Sequence, residues 1–287
     1  MSTTNRIGII HPGEMGVSVA ASAVNSGCEV YWASEGRSPE TRERAAKHGL
    51  KDAGTVSNLC KTCSIILSIC PPHAAEDVAW EVLGCGFSGM YVDANAISPQ
   101  RTLKIGETMA AANVEFVDGG IIGGPAWTPG ETVLYLAGKG ADEIAECFVA
   151  GPLETRGLGE EIGKASALKM CYAAYSKGTT ALLCAVLATA EELGVREALN
   201  LQWTDDDPGF AEKTEMRVRR VTKKAWRFAG EMEEISATFD EAGLPGEFHA
   251  GAAETYRRLA RFKGWSEAPE LDEVLAAMIK LRSRSRS

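Results

Sequence analysis

The chain has 287 residues, of which 45% are hydrophobic and 24% charged, a size and composition that suit one large globular domain or two ordinary ones. A formal net charge of -9 argues against a nucleic-acid surface, and no stretch approaches the ~20 apolar residues of a membrane helix. Eight scattered cysteines, without a secretory apolar core in "MSTTNR", point to reduced thiols in a cytoplasmic protein with neither nucleic acid nor membrane as partner.

From residue 6 to about 150, apolar runs alternate with helical stretches, as in a parallel sheet flanked by helices. "RIGII" (6–10) is the first strand, and a helix follows from Gly16 to about Ser26 with Val17, Ala20, Ala21 and Val24 on one face. "CEVYWAS" (28–34) is the second strand, and "SPETRERAAKHG" (38–49) a charged surface helix closed by Gly49. The pair in "CKTC", Cys60 and Cys63, leads into a strand and lacks a second pair, so neither redox nor zinc chemistry is expected there. "SIILSIC" (64–70) is a buried strand stopped by Pro71 and Pro72. "GMYVDAN" (89–95) and "VEFVDGG" (114–120) are further strands around a helix that starts after Ser98-Pro99, and "ETVLYLAGK" (131–139) closes this half.

After about Leu158 the strand signals cease. A long, mostly apolar segment from Gly163 to Leu193 reads as a helix buried on most sides, and Lys164, Lys169 and Lys177 make it too polar to cross a membrane. Further helices are expected at Phe210–Ala229, Glu231–Ala242, Phe248–Phe262 and from Leu271 onward, the closing "RSRSRS" reading as a frayed, exposed tail. The expected fold class is therefore α/β: a Rossmann-type doubly wound sheet over residues 1–158, then an all-α domain over 159–287 for substrate and dimerisation. The long apolar helix carries more hydrophobic surface than one small helical domain covers, hence the expected homodimer.

"HPGEMG", from His11 to Gly16, sits between a strand and a helix, where the motif G-x-G-x-x-G cradles a pyrophosphate. Gly13 and Gly16 take the second and third glycine positions, while His11 replaces the first and Pro12 stiffens the turn. His11, Pro12, Gly13, Glu14, Met15 and Gly16 are accordingly expected to bind cofactor. At the tip of the second strand stand Ser34, Arg37, Ser38 and Arg42, with Glu35 the one acidic candidate. An arginine there accommodates a ribose 2′-phosphate and an acidic residue repels it, so NADP is favoured and NAD remains open.

Five phrases now stand in order: "IGIIHPGEMG", "ILSICPPHA", "VDANAISP", "EFVDGGIIGGPAWTPG" and "GKASALK". The series resembles the β-hydroxyacid dehydrogenase superfamily, which includes 6-phosphogluconate and 3-hydroxyisobutyrate dehydrogenases. The helical half, with "KMCYAAYSKGTTAL", "KKAWRFAGEMEEI" and "GAAETYRRLA", resembles a branch of uncertain substrate. The resemblance implies that Cys70, Pro71 and Pro72 pass the nicotinamide ribose and that Asn95 contacts cofactor. It implies a substrate loop of Asp118, Ile122, Gly123 and Gly124, Lys169 as catalytic lysine, and Glu231 in place of a substrate-domain aspartate. Two departures stand out: Ile122 replaces the loop serine and Ala173 the asparagine one turn after the lysine, favouring a less polar or differently shaped substrate.

Carbonyl reduction needs a held hydride donor and a proton donor at the oxygen, and a lysine serves the second need if its pKa falls toward neutrality. Helical spacing puts Ser166, Lys169, Tyr172 or Ala173, and Ser176 on one stripe, so Tyr172 and Ser176 join the substrate candidates. Lys177 is turned about 80° away and reads as packing or an ion pair. Asp118 reads equally well as a turn-forming carboxylate, Trp127 as packing beside the cleft, and His249 as a first-turn helix residue. No metal ligand set is read. The leading reading is a hydroxy/carbonyl oxidoreductase acting through Lys169; the alternatives are an imine reductase or a nicotinamide-binding regulator without turnover.

Overall fold

A computed structural model describes residues 5–279, so the "RSRSRS" tail lies outside the described residues. Along the chain, β1 (Arg6–Ile9) leads into α1 (Glu14–Asn25) and β2 (Glu29–Trp32) into α2 (Pro39–Lys47). β3 (Lys51–Asp52) is followed by α3 (Val56–Thr62), β4 (Ile65–Ser68) by α4 (Ala75–Gly84), and β5 (Met90–Asp93) by α5 (Pro99–Ala111). Then come β6 (Glu115–Ile122), β7 (Val133–Ala137), α6 (Ala141–Glu146) and β8 (Glu154–Gly157). The helices α7 (Lys164–Glu192), α8 (Arg196–Asp206), α9 (Phe210–Glu241), α10 (Glu247–Leu259) and α11 (Leu271–Met278) complete the chain. Two compact units result, Met1–Met170 and Cys171–Ser287.

In the first unit the eight strands form one sheet in the order β3-β2-β1-β4-β5-β6-β7-β8. Side chains alternate across a strand, and here the alternation feeds two cores. Ile7, Ile9, Ile65, Leu67, Met90 and Val92 pack into one, while Ile66, Tyr91 and Phe116 pack into the other with Leu59, Val78 and Met109. A sheet buried on both faces needs helices on both, which is what doubly wound connectivity supplies. One expectation of the sheet is corrected: β7 runs antiparallel to β6, with Gly120 opposite Tyr135. Only ten residues separate these strands, too few for a parallel crossover.

The second unit is helical, with α9 packed against α10, α8 and α11. The expected break at Gly230 does not occur, and α9 runs unbroken from Phe210 to Glu241. Without proline or a capping partner an interior glycine costs only about 1 kcal/mol, less than the packing of a 32-residue amphipathic helix supplies. The α7 helix is also less covered than expected, leaving Tyr172, Tyr175 and Leu182 exposed. All eight cysteines are free, and Cys60 and Cys63 end α3 with thiols that burial pushes up to about 12.

Candidate cofactor and active site

In the first unit the strand order reverses between β1 and β4, and the loops that leave these two strands carry the expected cofactor residues. After β1 the chain turns tightly at His11, whose carbonyl accepts from Gly13 N at 2.8 Å. Gly13 is the N-cap of α1, and no side chain caps that helix. A Cβ at Gly13 would meet nothing within 4 Å, so its own chain does not demand glycine there. At Gly16 a Cβ would lie 2.4 Å from the His11 carbonyl oxygen, so glycine there is required by packing. The structure therefore separates the two: Gly16 closes the loop, and Gly13 leaves open space before an uncapped helix N-terminus, the arrangement that receives a phosphate.

Beside this cradle, His11 Nδ1 and Arg37 Nε are buried without hydrogen-bond partners among the described residues. Burial, with a contribution from Arg37, pushes the His11 pKa down to about 4 and keeps the imidazole neutral at pH 7. Arg37 N donates to Ser34 O, and Arg42 Nη2 to the same carbonyl at 2.6 Å, tying the tip of β2 to α2. Ser34 is itself buried, and Ser38 caps α2 through Thr41 N. Arg44, which the motif does not mark, donates to Pro12 O at 3.3 Å. Glu14 and Glu35 are exposed, and Met15 is half-buried. Orphaned donors and an open glycine at the strand-order reversal fit a dinucleotide, held by the α1 N-terminus and Arg37.

Across the reversal, the Cys70–Pro72 loop is fastened from below. Asn95 Oδ1 accepts from Cys70 N at 2.6 Å, its Nδ2 donates to Ser68 Oγ and Asp93 Oδ2, and Arg101 Nη2 donates to Pro72 O at 2.9 Å. Asn95 is 2% exposed with its amide spent on these groups, so it sets the loop rather than presenting an amide at the surface. Asp93, fully buried beneath it, has its pKa pushed up to about 7 by burial, against the two hydrogen bonds that Asn95 donates.

The entry to α7 is organised by Asp118. This buried carboxylate accepts from Gly163 N and Ala165 N at 2.9 Å each, from Ser166 N, and from Ser166 Oγ at 2.6 Å, while Thr102 donates its hydroxyl to Ser166 Oγ at 2.8 Å. It caps the helix with charge as well as acceptors, although burial still shifts its pKa upward. With its oxygens thus taken and no exposed surface, Asp118 positions the helix; the structure does not turn it toward solvent. Gly120 permits the helix to lie on β6, since a Cβ there would stand 2.5 Å from Ala165 O and 3.3 Å from Lys169 Cβ. Lys169, one and a half turns in, donates from Nζ to Ile121 O at 2.5 Å. The next residues, Ile122, Gly123 and Gly124, leave the strand half-buried and then exposed, and a Cβ at Gly124 would meet nothing. Asp118, the 121–124 segment and Lys169 are thus brought together within one unit. On the loop beyond, Trp127 stacks on His48 with ring centroids 4.7 Å apart, beside a cleft of about 420 Å3 that Arg44 also lines.

In the second unit Tyr172 is half-exposed and Ser176 partly so. Glu231 is buried and pairs with Lys177 Nζ at 2.8 Å, with Arg227 Nε at 3.9 Å. That Lys177 forms this pair, over the Phe228 ring at 4.9 Å, explains its turn away from the Lys169 stripe. His249 stands in the first turn of α10 against Phe239, with Nδ1 buried and unpartnered among the described residues, and burial lowers its pKa. Arg217 was not singled out in the sequence, yet it bonds Ser176 O and Thr180 Oγ1; nothing in its spacing marks it.

A doubly wound sheet with a glycine-opened helix N-terminus at the strand-order reversal, followed by a helical unit, defines a two-part dinucleotide-dependent oxidoreductase. Residues 6–147 match the NAD binding domain of 6-phosphogluconate dehydrogenase, and residues 190–259 match a domain of unknown function, DUF1932. An uncharacterized 28.5 kDa protein of Methanothermus fervidus is 32% identical over 215 residues, covering 74% of this chain and 82% of that protein. The mitochondrial 3-hydroxyisobutyrate dehydrogenase of Drosophila melanogaster is 25% identical over 199 residues, 68% of this chain and 57% of its own. A solved structure of a conserved protein of unknown function, described as similar to 3-hydroxyacid dehydrogenases, aligns with TM-score 0.66 at 27% identity over 96% of this chain and 100% of that one. The chain belongs to the β-hydroxyacid dehydrogenase superfamily.

Proposed function

We propose that the protein is an NADP-preferring oxidoreductase that interconverts a hydroxy compound and its carbonyl, with Lys169 as general acid and base. The observation that carries this reading is the 2.5 Å bond from Lys169 Nζ to Ile121 O, which holds the amine against the 121–124 segment. In reduction, the bound nicotinamide supplies hydride to the carbonyl carbon. Lys169 gives a proton to the carbonyl oxygen, and in oxidation its neutral amine takes that proton back. Asp118 acts as a positioning residue, because the α7 turn it caps carries Lys169. Tyr172 and Ser176 supply substrate contacts, and Glu231 acts through its pair with Lys177.

NADP preference is supported by Arg37, whose Nε has no partner among the described residues, and by Arg42 at the same strand tip. We assign cofactor binding to residues 1–158 and substrate binding and dimerisation to 159–287. The exposed Tyr175, Leu182, Leu193 and Leu201 of the helical unit support a homodimer. We place the protein in the cytoplasm; none of its helices among the described residues is long and apolar enough to cross a membrane. An imine as substrate is favoured by one feature, the apolar Ile122 and Ala173 where hydrogen-bonding side chains would grip a hydroxyacid.

The test is NADPH oxidation against panels of ketones, aldehydes, ketoacids and imines, repeated with Lys169→Ala. General acid catalysis is worth about 10²–10⁴-fold, so the variant is expected to lose that much in kcat while binding NADPH as before. Unchanged turnover removes the lysine from the mechanism. Failure of any nicotinamide to bind removes the oxidoreductase reading.

A further inference from the structure

Helix α9 carries Lys213, Arg217, Arg220 and Lys224 at offsets of four, three and four residues, which places all four on one face. They line a groove of about 480 Å3 within the helical unit. Its other walls are Thr180 of α7 and the apolar side chains of Met216, Val221 and Phe228. Four cations on one wall are unusual in a chain of net charge -9.

Other arginines of this unit have carboxylate partners: Arg196 with Asp272, Arg219 with Glu270, Arg257 with Glu233 and Arg258 with Glu254. Among the described residues, none of the four groove cations has a carboxylate within ion-pair distance. Arg217 is instead locked by neutral acceptors. Its Nε donates to Thr180 Oγ1 at 2.7 Å, and its Nη2 to Ser176 O at 2.6 Å and Thr179 Oγ1 at 2.8 Å. A guanidinium fixed this way keeps its full charge and has already given up the rotamer freedom that anion binding would otherwise cost. The volume lies in the range of small-molecule sites, and charge over an apolar floor selects a ligand with both characters.

We propose that this groove binds an organic polyanion with a small non-polar body, a phosphate monoester in its simplest form. The site is independent of the proposed reaction, since it stands whether or not Lys169 is the proton donor.

The test is calorimetric titration of the full-length protein with phenyl phosphate at low salt. Each charge-assisted bond lost is worth about tenfold in affinity. Lys213→Gln with Lys224→Gln is therefore expected to weaken binding about tenfold or more, and added salt to weaken it further. Arg37→Gln with Arg44→Gln, at the phosphate loop, is expected to leave this binding unchanged, and phenol to show none. Each single variant, K213Q or K224Q, is expected to show a several-fold loss and serves if the pair fails to fold. The proposal is overturned if phenyl phosphate does not bind. It is also overturned if binding disappears in the Arg37/Arg44 variant alone, which assigns it to the phosphate loop. A dimer that dissociates in the Lys213/Lys224 variant, with no phosphate binding in the parent, assigns the groove to a subunit interface instead.

Discussion

Two glycines three residues apart give opposite expectations when each is replaced by alanine. At Gly13, φ is -66° and ψ -173°, a conformation alanine adopts freely, and the added methyl meets nothing within 4 Å. The alanine loses a little as an N-cap and gains about 0.4–1 kcal/mol through a stiffer unfolded chain, so stability is expected to change by less than about 0.5 kcal/mol. At Gly16 the methyl stands 2.4 Å from a backbone carbonyl oxygen and 3.4 Å from Ile9 Cδ1, with no flexible side chain able to yield. Overpacking of this kind costs about 1–3 kcal/mol. At about 2–4 °C per kcal/mol for a unit of this size, Gly16→Ala is expected to lower Tm by several degrees. The order reverses on adding cofactor. The Gly13 methyl fills the space a phosphate would take, and loss of one charge-assisted bond to a backbone N–H, about 1.5–3 kcal/mol, weakens NADPH binding roughly 10–100-fold. Urea or thermal unfolding of the cofactor-free protein, paired with fluorescence titration of NADPH, reads both effects. The cradle assignment fails if Gly13→Ala binds NADPH as tightly as the parent, or if it destabilises as much as Gly16→Ala.

Two further outcomes follow from buried ionisable groups. His11 titrates at about 4 in the folded protein against 6.5 for a free histidine, so the unfolded chain binds more protons between these values and stability rises with pH across the window. Replacing it by glutamine is expected to flatten that rise by up to about 3 kcal/mol between pH 6.5 and 4, measured as the difference between two denaturation series. Asp93 works in the opposite direction: its pKa of about 7 lies above the free value of 3.8, so its contribution falls as pH rises through that interval. Asp93→Asn should remove this second trend, and identical pH profiles for parent and variant would refute it. Asp118→Asn places an NH2 group among backbone donors that now point at a carboxylate, leaving at least one donor unpaired. A loss of about 2–4 kcal/mol in urea denaturation is expected, and a loss below about 0.5 kcal/mol would show that the cap is dispensable.

Periodicity and punctuation determined most of the architecture by themselves. Alternating apolar runs such as "RIGII" and "SIILSIC" must be buried on both sides, and the glycines and prolines that bound them leave little choice of where each strand stops. Hence the doubly wound half and the helical half were legible, as was the strand-loop-helix context of Gly13 and Gly16. Local signals were weaker where one residue had to decide: Gly230 carries the mark of a break, yet packing along α9 overrides it. The short β3 and β8, and the helices α3 and α8, lack the length that makes a period visible.

Only the tertiary structure decided what the polar residues do. Asp118 and Asn95 stand in motifs read as ligand-binding, but their partners come from segments 45 and 25 residues away in sequence, and burial commits both to holding loops in place. The Lys177–Glu231 pair, the Arg44 bond to Pro12 O and the unpaired cations of α9 are likewise products of long-range neighbours. A sequence states which groups can carry charge or donate a proton. Whether such a group faces a ligand, a backbone carbonyl or an opposite charge depends on contacts made when distant segments fold together.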